Sequence, residues 1–201
     1  MIRNLMLAAV AVVSLSGCAL LSSPDPIQLY RFGDPTGSAT TAVADPVQVK
    51  LRAIEMPQAS QGDRLLGVTG SEAAYIGGAR WVSPALMLYS DALEASFASQ
   101  ARTVRLIGRR ELTQTTRLLD VDVRAFETRY DYEGAAPTVV ITARARMLRF
   151  PERTVAAEQT FTVSQPAGEN RVSAIVEAYD VATRDLNTQI VSWTDANAGG
   201  N

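Results

Sequence analysis

The sequence predicts an α/β protein of the α+β type: a single domain with a mostly antiparallel sheet and two long helices packed on one face. Between residues 118 and 163, three segments alternate apolar and polar residues, which is the period of half-buried strands. Residues 84–99 and 172–193 instead place apolar residues three and four positions apart, as amphipathic helices do. No linker divides the chain, and two helices on one sheet face bury these apolar surfaces economically.

Short strands are predicted before the first helix. Residues 47–54 alternate most clearly, with Val49 and Leu51 on one face and Lys50 and Arg52 on the other. The other predicted segments are a first strand at 29–32, a hairpin of 65–69 and 73–76 around Gly70, and a stretch at 79–81 that follows Gly77-Gly78. Residues 33–45, rich in Gly, Thr and Ala, are predicted to form a loop.

Each helix has a predicted start. Ser83 is expected to cap the first helix, with Pro84 at its first position, where a missing N–H costs nothing. Asn170 is expected to cap the last helix. The apolar stripes consist of Leu86, Tyr89, Leu93 and Phe97 in the first helix, and of Val172, Ile175, Val176, Tyr179, Leu186, Ile190 and Trp193 in the last. The first helix ends near residue 99, and residues 195–201 are predicted to be a flexible tail.

Four strands are predicted between the helices, at 104–107, 118–130, 138–150 and 153–163, with a loop at 109–114. Turns at 132–134 and 151–152 make the last three strands an antiparallel meander. In that arrangement the carboxylates of Asp120 and Asp122 can pair with Arg144 and Arg146 on the neighbouring strand.

The first 18 residues predict targeting rather than folding. An uncharged apolar run at 5–13 is shorter than the roughly 20 residues of a membrane-spanning helix and suits a secretory signal. Leu15, Ser16, Gly17 and Cys18 follow it and resemble the lipobox of bacterial lipoproteins. The resemblance implies that Leu15, Ser16 and Gly17 are recognised, that residues 1–17 are removed, and that Cys18 is S-diacylglycerylated and N-acylated. The alternative is an ordinary secretory signal with an incidental cysteine.

Acylation would anchor the mature chain, because two or more acyl chains hold a protein stably at a membrane. Residues 18–28 would form a lipidated tether, and ten residues of flexible coil span about 18 Å, so the domain of residues 29–194 stays close to its membrane. Ala19 follows the cysteine, where Asp in enterobacterial lipoproteins signals retention in the inner membrane. We therefore expect a lipid-anchored protein of the cell envelope, at the outer membrane and facing the periplasm.

Composition excludes several classes of protein. Removal of residues 1–17 leaves 184 residues with 18 basic and 21 acidic side chains, a formal net charge of −3, so no basic excess indicates a nucleic-acid partner. Cys18 is the single cysteine, which rules out a disulfide within the chain. The domain must be held together by packing alone, and its length is sufficient for that.

No catalytic set, cofactor or metal site is predicted. The chain has no His, which the usual nucleophilic triads need. Lys50 could serve a Ser–Lys pair only from the exposed face of a strand. Asp120 and Asp122 share a face and could bind a hard cation, but pairing with cross-strand arginines is the simpler explanation. Residues 67–70 lack the Lys and helix of a phosphate-binding loop.

Several features follow the lipobox in order. They are the aromatic strand Leu29-Tyr30-Arg31-Phe32, the alternating strand at 47–54, the helix start Arg80-Trp81-Val82-Ser83-Pro84, the strand Leu119-Asp120-Val121-Asp122-Val123-Arg124-Ala125-Phe126 and the helix end Ile190-Val191-Ser192-Trp193. Together they resemble the ABC-type transport auxiliary lipoproteins, the lipoprotein partners of MCE-type and paraquat-inducible-type intermembrane transport systems.

The resemblance implies a non-catalytic accessory component of an ABC/MCE-type system that moves phospholipids or other hydrophobic compounds across the envelope. The implied partners are an MCE-domain protein and, through it, an ABC permease and ATPase. Some members are thought to form rings, which leaves a homo-oligomer open.

Four residues are candidate partner contacts: Arg80 and Trp81 before the first helix, and Tyr130 and Tyr132 near a hairpin tip. Each has an ordinary alternative, with Trp81 in the core, Arg80 as its solvated neighbour, and the tyrosines as strand aromatics. A second function also stays open, that of an envelope-assembly or cell-wall-synthesis-activating lipoprotein, although such proteins often carry a longer tether.

Overall fold

A computed structural model describes residues 27–33, 45–108 and 111–199. The predicted signal peptide, Cys18 and nearly all of the tether lie outside the described residues. The elements are β1 Gln28–Tyr30, β2 Val47–Glu55, β3 Leu66–Thr69, β4 Glu72–Tyr75, β5 Ala79–Trp81, α1 Ala85–Gln100, β6 Val104–Ile107, β7 Arg117–Tyr130, β8 Thr138–Arg149, β9 Thr154–Pro166 and α2 Val172–Asn197.

Strand β7 organises a seven-stranded sheet. One of its edges pairs antiparallel with β8 along its whole length, and β8 pairs antiparallel with β9. Two strands share the other edge. The first half of β7 pairs in parallel with β2, and β2 in turn pairs in parallel with β6. The last three residues of β7 pair in parallel with β3 of the β3–β4 hairpin. The predicted meander is therefore confirmed, and its long antiparallel ladders dominate the sheet.

Both helices pack on one face of this sheet, as predicted. Helix α2 lies against β8 and β9, and α1 lies against α2, β2 and β6. Alternation supplies the core, because every second side chain of a strand points to the same face. The inward residues of β7 and β8 are fully buried: Leu119, Val121, Val123, Ile141, Ala143, Ala145 and Met147. Neither described helix is long and apolar enough to cross a membrane.

A separate two-stranded parallel ribbon, β1–β5, is attached to this body by an aromatic cluster of Phe32, Trp81, Phe126 and Tyr179. The Phe32 ring lies 4.9 Å from Trp81 and 5.3 Å from Phe126, centroid to centroid. Tyr179 of α2 closes the cluster at 5.3 Å from Trp81 and 4.8 Å from Phe126. Edge-to-face and tilted pairs of this kind contribute beyond the area that they bury, so the cluster fixes the ribbon to both the sheet and α2.

The first strand ends earlier than the predicted 29–32, because the chain turns inward to place Phe32 in the core. Gly33 makes this turn with a φ of 66°, and its N–H donates to Asp180 Oδ1 at 2.8 Å. A Cβ at Gly33 would lie 2.4 Å from Ala92 Cβ, so a larger residue is excluded by both backbone and space. Of the predicted loop 33–45, residues 34–44 lie outside the described part of the chain.

Both predicted helix caps are wrong. Pro84 occupies the N-cap of α1 and Ser83 lies before it, while Arg171 rather than Asn170 occupies the N-cap of α2, and neither cap makes a side-chain hydrogen bond. The free amides of α1 are satisfied by backbone instead, since Ala85 N–H donates to Gly62 O at 2.8 Å. Such a long-range backbone partner leaves no local sequence signal.

The predicted flexible tail is wrong for residues 195–197, which continue α2. The reason is Asp195, whose carboxylate accepts the backbone N–H groups of Arg102, Thr103 and Val104 at 2.9, 3.0 and 3.1 Å. These donors stand at the start of β6, so Asp195 joins the end of α2 to the edge of the sheet.

Two buried tyrosines provide a test of this packing. Burial raises the pKa of both Tyr89 and Tyr179 above its usual range, because a phenolate would be desolvated. Thr128 Oγ1 donates to Tyr179 Oη at 3.2 Å, whereas Tyr89 Oη has no partner among the described residues.

We expect Tyr89→Phe to leave the free energy of unfolding unchanged or raise it by up to about 1 kcal/mol, since it removes an unsatisfied hydroxyl. Tyr179→Phe should lower it by about 1 kcal/mol, since Thr128 loses its partner. Urea unfolding of the two variants measures both values. Equal losses in the two would contradict this difference between the two sites.

Candidate functional site

The groups that the sequence offers for chemistry, Lys50, Asp120 and Asp122, all lie in the described part of the chain. No group of three His, Cys, Asp or Glu side chains among the described residues could hold a metal ion. Lys50, the candidate for a Ser–Lys pair, donates its ammonium to the backbone carbonyl of Glu111 instead. Lys50 is thus bound to a backbone carbonyl on the exposed side of β2.

The carboxylates of Asp120 and Asp122 are paired with arginines, as the meander predicts. Arg52 Nε donates to Asp120 Oδ1 at 2.7 Å, and Arg146 approaches the same carboxylate at 3.6 Å. Asp122 Oδ2 accepts from Arg144 at 3.1 Å, and Arg124 lies 3.3 Å away. The hydrogen bond to Asp120 raises the pKa of Arg52 above its normal value. Guanidinium groups therefore hold the positions that a cation would need.

Asp120 is the most buried carboxylate of this group, with 3 % of its side chain exposed against 25 % for Asp122. We expect Asp120→Asn to lower the free energy of unfolding by about 1–3 kcal/mol, because it leaves two guanidinium groups beside a neutral amide. Asp122→Asn should cost less than about 1 kcal/mol, because water reaches that site. Urea unfolding distinguishes them, and equally small losses would contradict a structural role for the buried pair.

Arg80 and Trp81, the two candidate partner contacts before the first helix, lie on opposite faces of the ribbon. Trp81 is only 2 % exposed and belongs to the aromatic cluster, so its assignment as a surface contact is wrong and its alternative, a core residue, holds. The physical reason is strand alternation, which turns Ala79 and Trp81 inward and Arg80 outward. Arg80 is half-buried and pairs with Asp63 Oδ2 at 2.8 Å.

The two tyrosines near the β7–β8 turn differ in exposure. Tyr132 is 69 % exposed in the turn itself. Tyr130 is partly buried, which raises its pKa, and its ring packs beside Gly67 of β3, where a Cβ would lie 3.3 Å from it. Nearby on the hairpin, the Arg64 guanidinium stacks 3.6 Å above the centre of the Tyr75 ring. Tyr132 is thus the more exposed of the two tyrosines near this turn.

Sequence reasoning missed an apolar surface on the ribbon, the ribbon patch, which we define as Ile27, Leu29 and Val82. These side chains are 53 %, 54 % and 47 % exposed. In parallel pairing Leu29 stands beside Arg80, and Val82 continues the outward side of β5, its N–H bonded to Tyr30 O at 2.8 Å. The alternation Ala79-Arg80-Trp81-Val82 contained this signal, with Val82 on the face opposite Trp81.

An open cleft of ≈ 410 Å³ lies where the start of β2, residues 114–117 and the end of α2 meet. Its walls include the polar side chains of Gln48, Gln114, Thr115 and Arg117. The cleft is open to solvent, and its lining combines these polar groups with Val47 and Ala198.

The fold defines a small α+β domain with two helices on one face of a mixed sheet, in which Asp120 and Asp122 are paired with arginines. More specifically, the chain belongs to the ABC-type transport auxiliary lipoprotein component family, whose family model matches residues 30–191. That match covers most of the domain, and lipoproteins of this family belong to the cell envelope.

Solved structures share the fold. Protein XCC0632 from Xanthomonas campestris, assigned to the DUF330 family, superposes with a TM-score of 0.70 at 25 % identity, over 85 % of this chain and 96 % of that protein. An uncharacterized protein gives a TM-score of 0.64 at 16 % identity, over 84 % and 98 %. The hypothetical protein CT253 from Chlamydia trachomatis gives 0.55 at 10 % identity, over 78 % and 99 %. No functionally curated protein matches the chain by sequence.

Proposed function

We propose that the protein is a non-catalytic accessory component of an MCE-type ABC transport system, lipid-anchored through Cys18 to the outer membrane and facing the periplasm. The observation that carries the proposal is the match of residues 30–191 to a family of transport auxiliary lipoproteins. In this role the cargo is a phospholipid or another hydrophobic compound, and ATP is hydrolysed by a different subunit.

The side chains of the domain support binding rather than catalysis. Lys50 is bound to a backbone carbonyl, and Asp120 and Asp122 are neutralised by arginines. These ion pairs hold the carboxylates of Asp120 and Asp122 beside arginines on neighbouring strands, as a structural role requires. In the proposed role, the domain acts by binding a partner at its surface.

The short connection between Cys18 and the domain supports docking near the membrane. β1 begins at Gln28, ten residues after Cys18, and ten residues reach at most about 36 Å even when fully extended. A domain held so close to its membrane is suited to receive a conduit that arrives there, rather than to reach a distant target.

We place the contact with the MCE-domain protein at the β7–β8 turn, where Tyr132 is exposed and Tyr130 lies beside it. Tyrosine is enriched at protein interfaces because a large apolar ring carries a polar tip. The MCE-domain protein would connect this contact to the permease and the ATPase.

A photo-crosslinking amino acid in place of Tyr132 tests the proposal, in membranes that contain a co-expressed MCE-domain protein. We expect a covalent adduct with that protein from position 132. The matched control is the same amino acid in place of Thr162, an exposed residue in the middle of β9, which should give no adduct. Adducts from neither position, with both proteins in one membrane fraction, would contradict the proposed partner.

A further inference from the structure

The ribbon patch is an apolar surface on an otherwise well-packed domain. Ile27, Leu29 and Val82 are each about half exposed, and Met87 follows in the first turn of α1 with 46 % exposure. Isolated apolar residues on a surface are ordinary, but neighbouring ones on one small sheet indicate an interaction surface.

The two faces of the ribbon have opposite character. Ala79 and Trp81 are 4 % and 2 % exposed on the inward face, where Tyr30 also packs against the core. The outward face carries Leu29 and Val82. Because the inward face is fixed in the aromatic cluster, the outward face is held rigidly in place.

Chain length restricts what can cover this patch. Ile27 is nine residues after Cys18, so the two lie at most about 32 Å apart, and as a flexible coil the segment spans about 17 Å. The patch therefore stands directly where the anchored chain joins the domain. The nearest extended surface to that point is the membrane that holds the acyl chains.

Charge is compatible with a bilayer surface. Arg31, two residues after Leu29, is exposed, and Arg80 stands beside Leu29 with its guanidinium on Asp63. The described rim thus carries one exposed arginine and one ion pair, with no excess of negative charge to repel an anionic bilayer surface.

We infer that the ribbon patch inserts into the headgroup region of the membrane that carries the lipid anchor, and so sets the orientation of the domain on that membrane. The inference rests on the lipid anchor of the proposed function. The anchor supplies attachment, and the patch supplies a second contact that stops the domain from tumbling on its tether.

An environment-sensitive fluorophore attached to introduced cysteines tests this. The full lipidated chain is reconstituted into vesicles of phosphatidylethanolamine with a minority of phosphatidylglycerol. Leu29→Cys and Val82→Cys each supply the free thiol, because the thiol of an acylated Cys18 is already a thioether. The matched control is Val155→Cys at the start of β9, since Val155 is apolar and equally exposed at 53 %.

The control lies far from the patch. Val155 pairs with Leu148, which pairs with Leu118 at the start of β7. Phe126, which belongs to the cluster beneath the ribbon, is eight residues further along β7, roughly 26 Å along the strand. A probe at 155 should therefore stay in water whenever a probe at 29 or 82 is in the bilayer.

We expect lipids brominated near the headgroup to quench about half or more of the fluorescence at positions 29 and 82, and almost none at 155, since interfacial segments sit about 5–10 Å into this region. A chain that floats with vesicles but shows equal, weak quenching at all three positions overturns the inference. Protection from water at 29 and 82 without quenching by lipid overturns it in favour of a protein, such as a second copy.

Failure of the anchor is recognised separately. If Cys18 is not acylated, the unsubstituted chain will react with the thiol reagent and will not float with the vesicles. That result contradicts the proposed function itself, whereas equal, weak quenching at all three positions in a floating chain contradicts the patch alone.

Discussion

Cys18→Ser is expected to abolish both the acylation and the cut before residue 18, so the chain accumulates as a precursor that retains residues 1–17. Each buried methylene of an acyl chain contributes about 0.8 kcal/mol to membrane attachment, and stable anchoring takes two such signals. Without them only the apolar run at 5–13 remains, which is too short to span a bilayer. The variant should therefore be lost from the outer membrane almost completely.

Mass spectrometry of the intact chain and flotation in a density gradient measure this effect. The matched control is Ser16→Ala, which keeps a small residue in the lipobox and should be processed and anchored like the wild type. If the Cys18→Ser chain were cut at the same place and still floated with outer membranes, the anchor would lie elsewhere and the lipobox assignment would be wrong.

Trp81→Ala is expected to lower the free energy of unfolding by about 3–5 kcal/mol, the usual cost of deleting a buried aromatic side chain. Trp81 is 2 % exposed and packs edge-to-face against Phe32 and Tyr179, so its removal leaves a cavity beneath the ribbon. A loss of this size is a large part of the roughly 5–15 kcal/mol that stabilises a typical domain. Urea unfolding followed by circular dichroism in mild detergent measures it.

The neighbouring residue is the control. Val82→Ala removes an exposed side chain and should change stability by less than about 0.5 kcal/mol. The pair thus separates the core face of β5 from its outward face, one residue apart. Equal small losses at both positions would mean that Trp81 is not part of the core.

The periodic patterns of the sequence predicted those features of the fold that depend on residues close together in the chain. The two-residue alternation of β2, β7 and β8 and the helical spacing in α1 and α2 were sufficient for the fold class and for the pairing of Asp120 and Asp122 with Arg144 and Arg146.

What the sequence did not predict depends on long-range partners. The free amides at the start of α1 bond to backbone of residues 61–62, and Asp195 bonds to amides about 90 positions earlier in the chain. The parallel pairing of β2 with β7 likewise leaves no local pattern, because Lys50 and its partner Leu118 lie far apart in the sequence. Tyr132 is exposed and its role as a partner contact stays a prediction. The ribbon patch was missed because it depends on β1 pairing with β5, far along the chain.

The measurement that tests the central claim most directly is affinity isolation of the lipidated chain from membranes that also contain the MCE-domain protein, the permease and the ATPase. The account predicts that the MCE-domain protein is recovered with the wild type, together with the permease and ATPase, and is lost with Cys18→Ser. Recovery of the anchored chain without the MCE-domain protein, with that protein present in the same membranes, would contradict it.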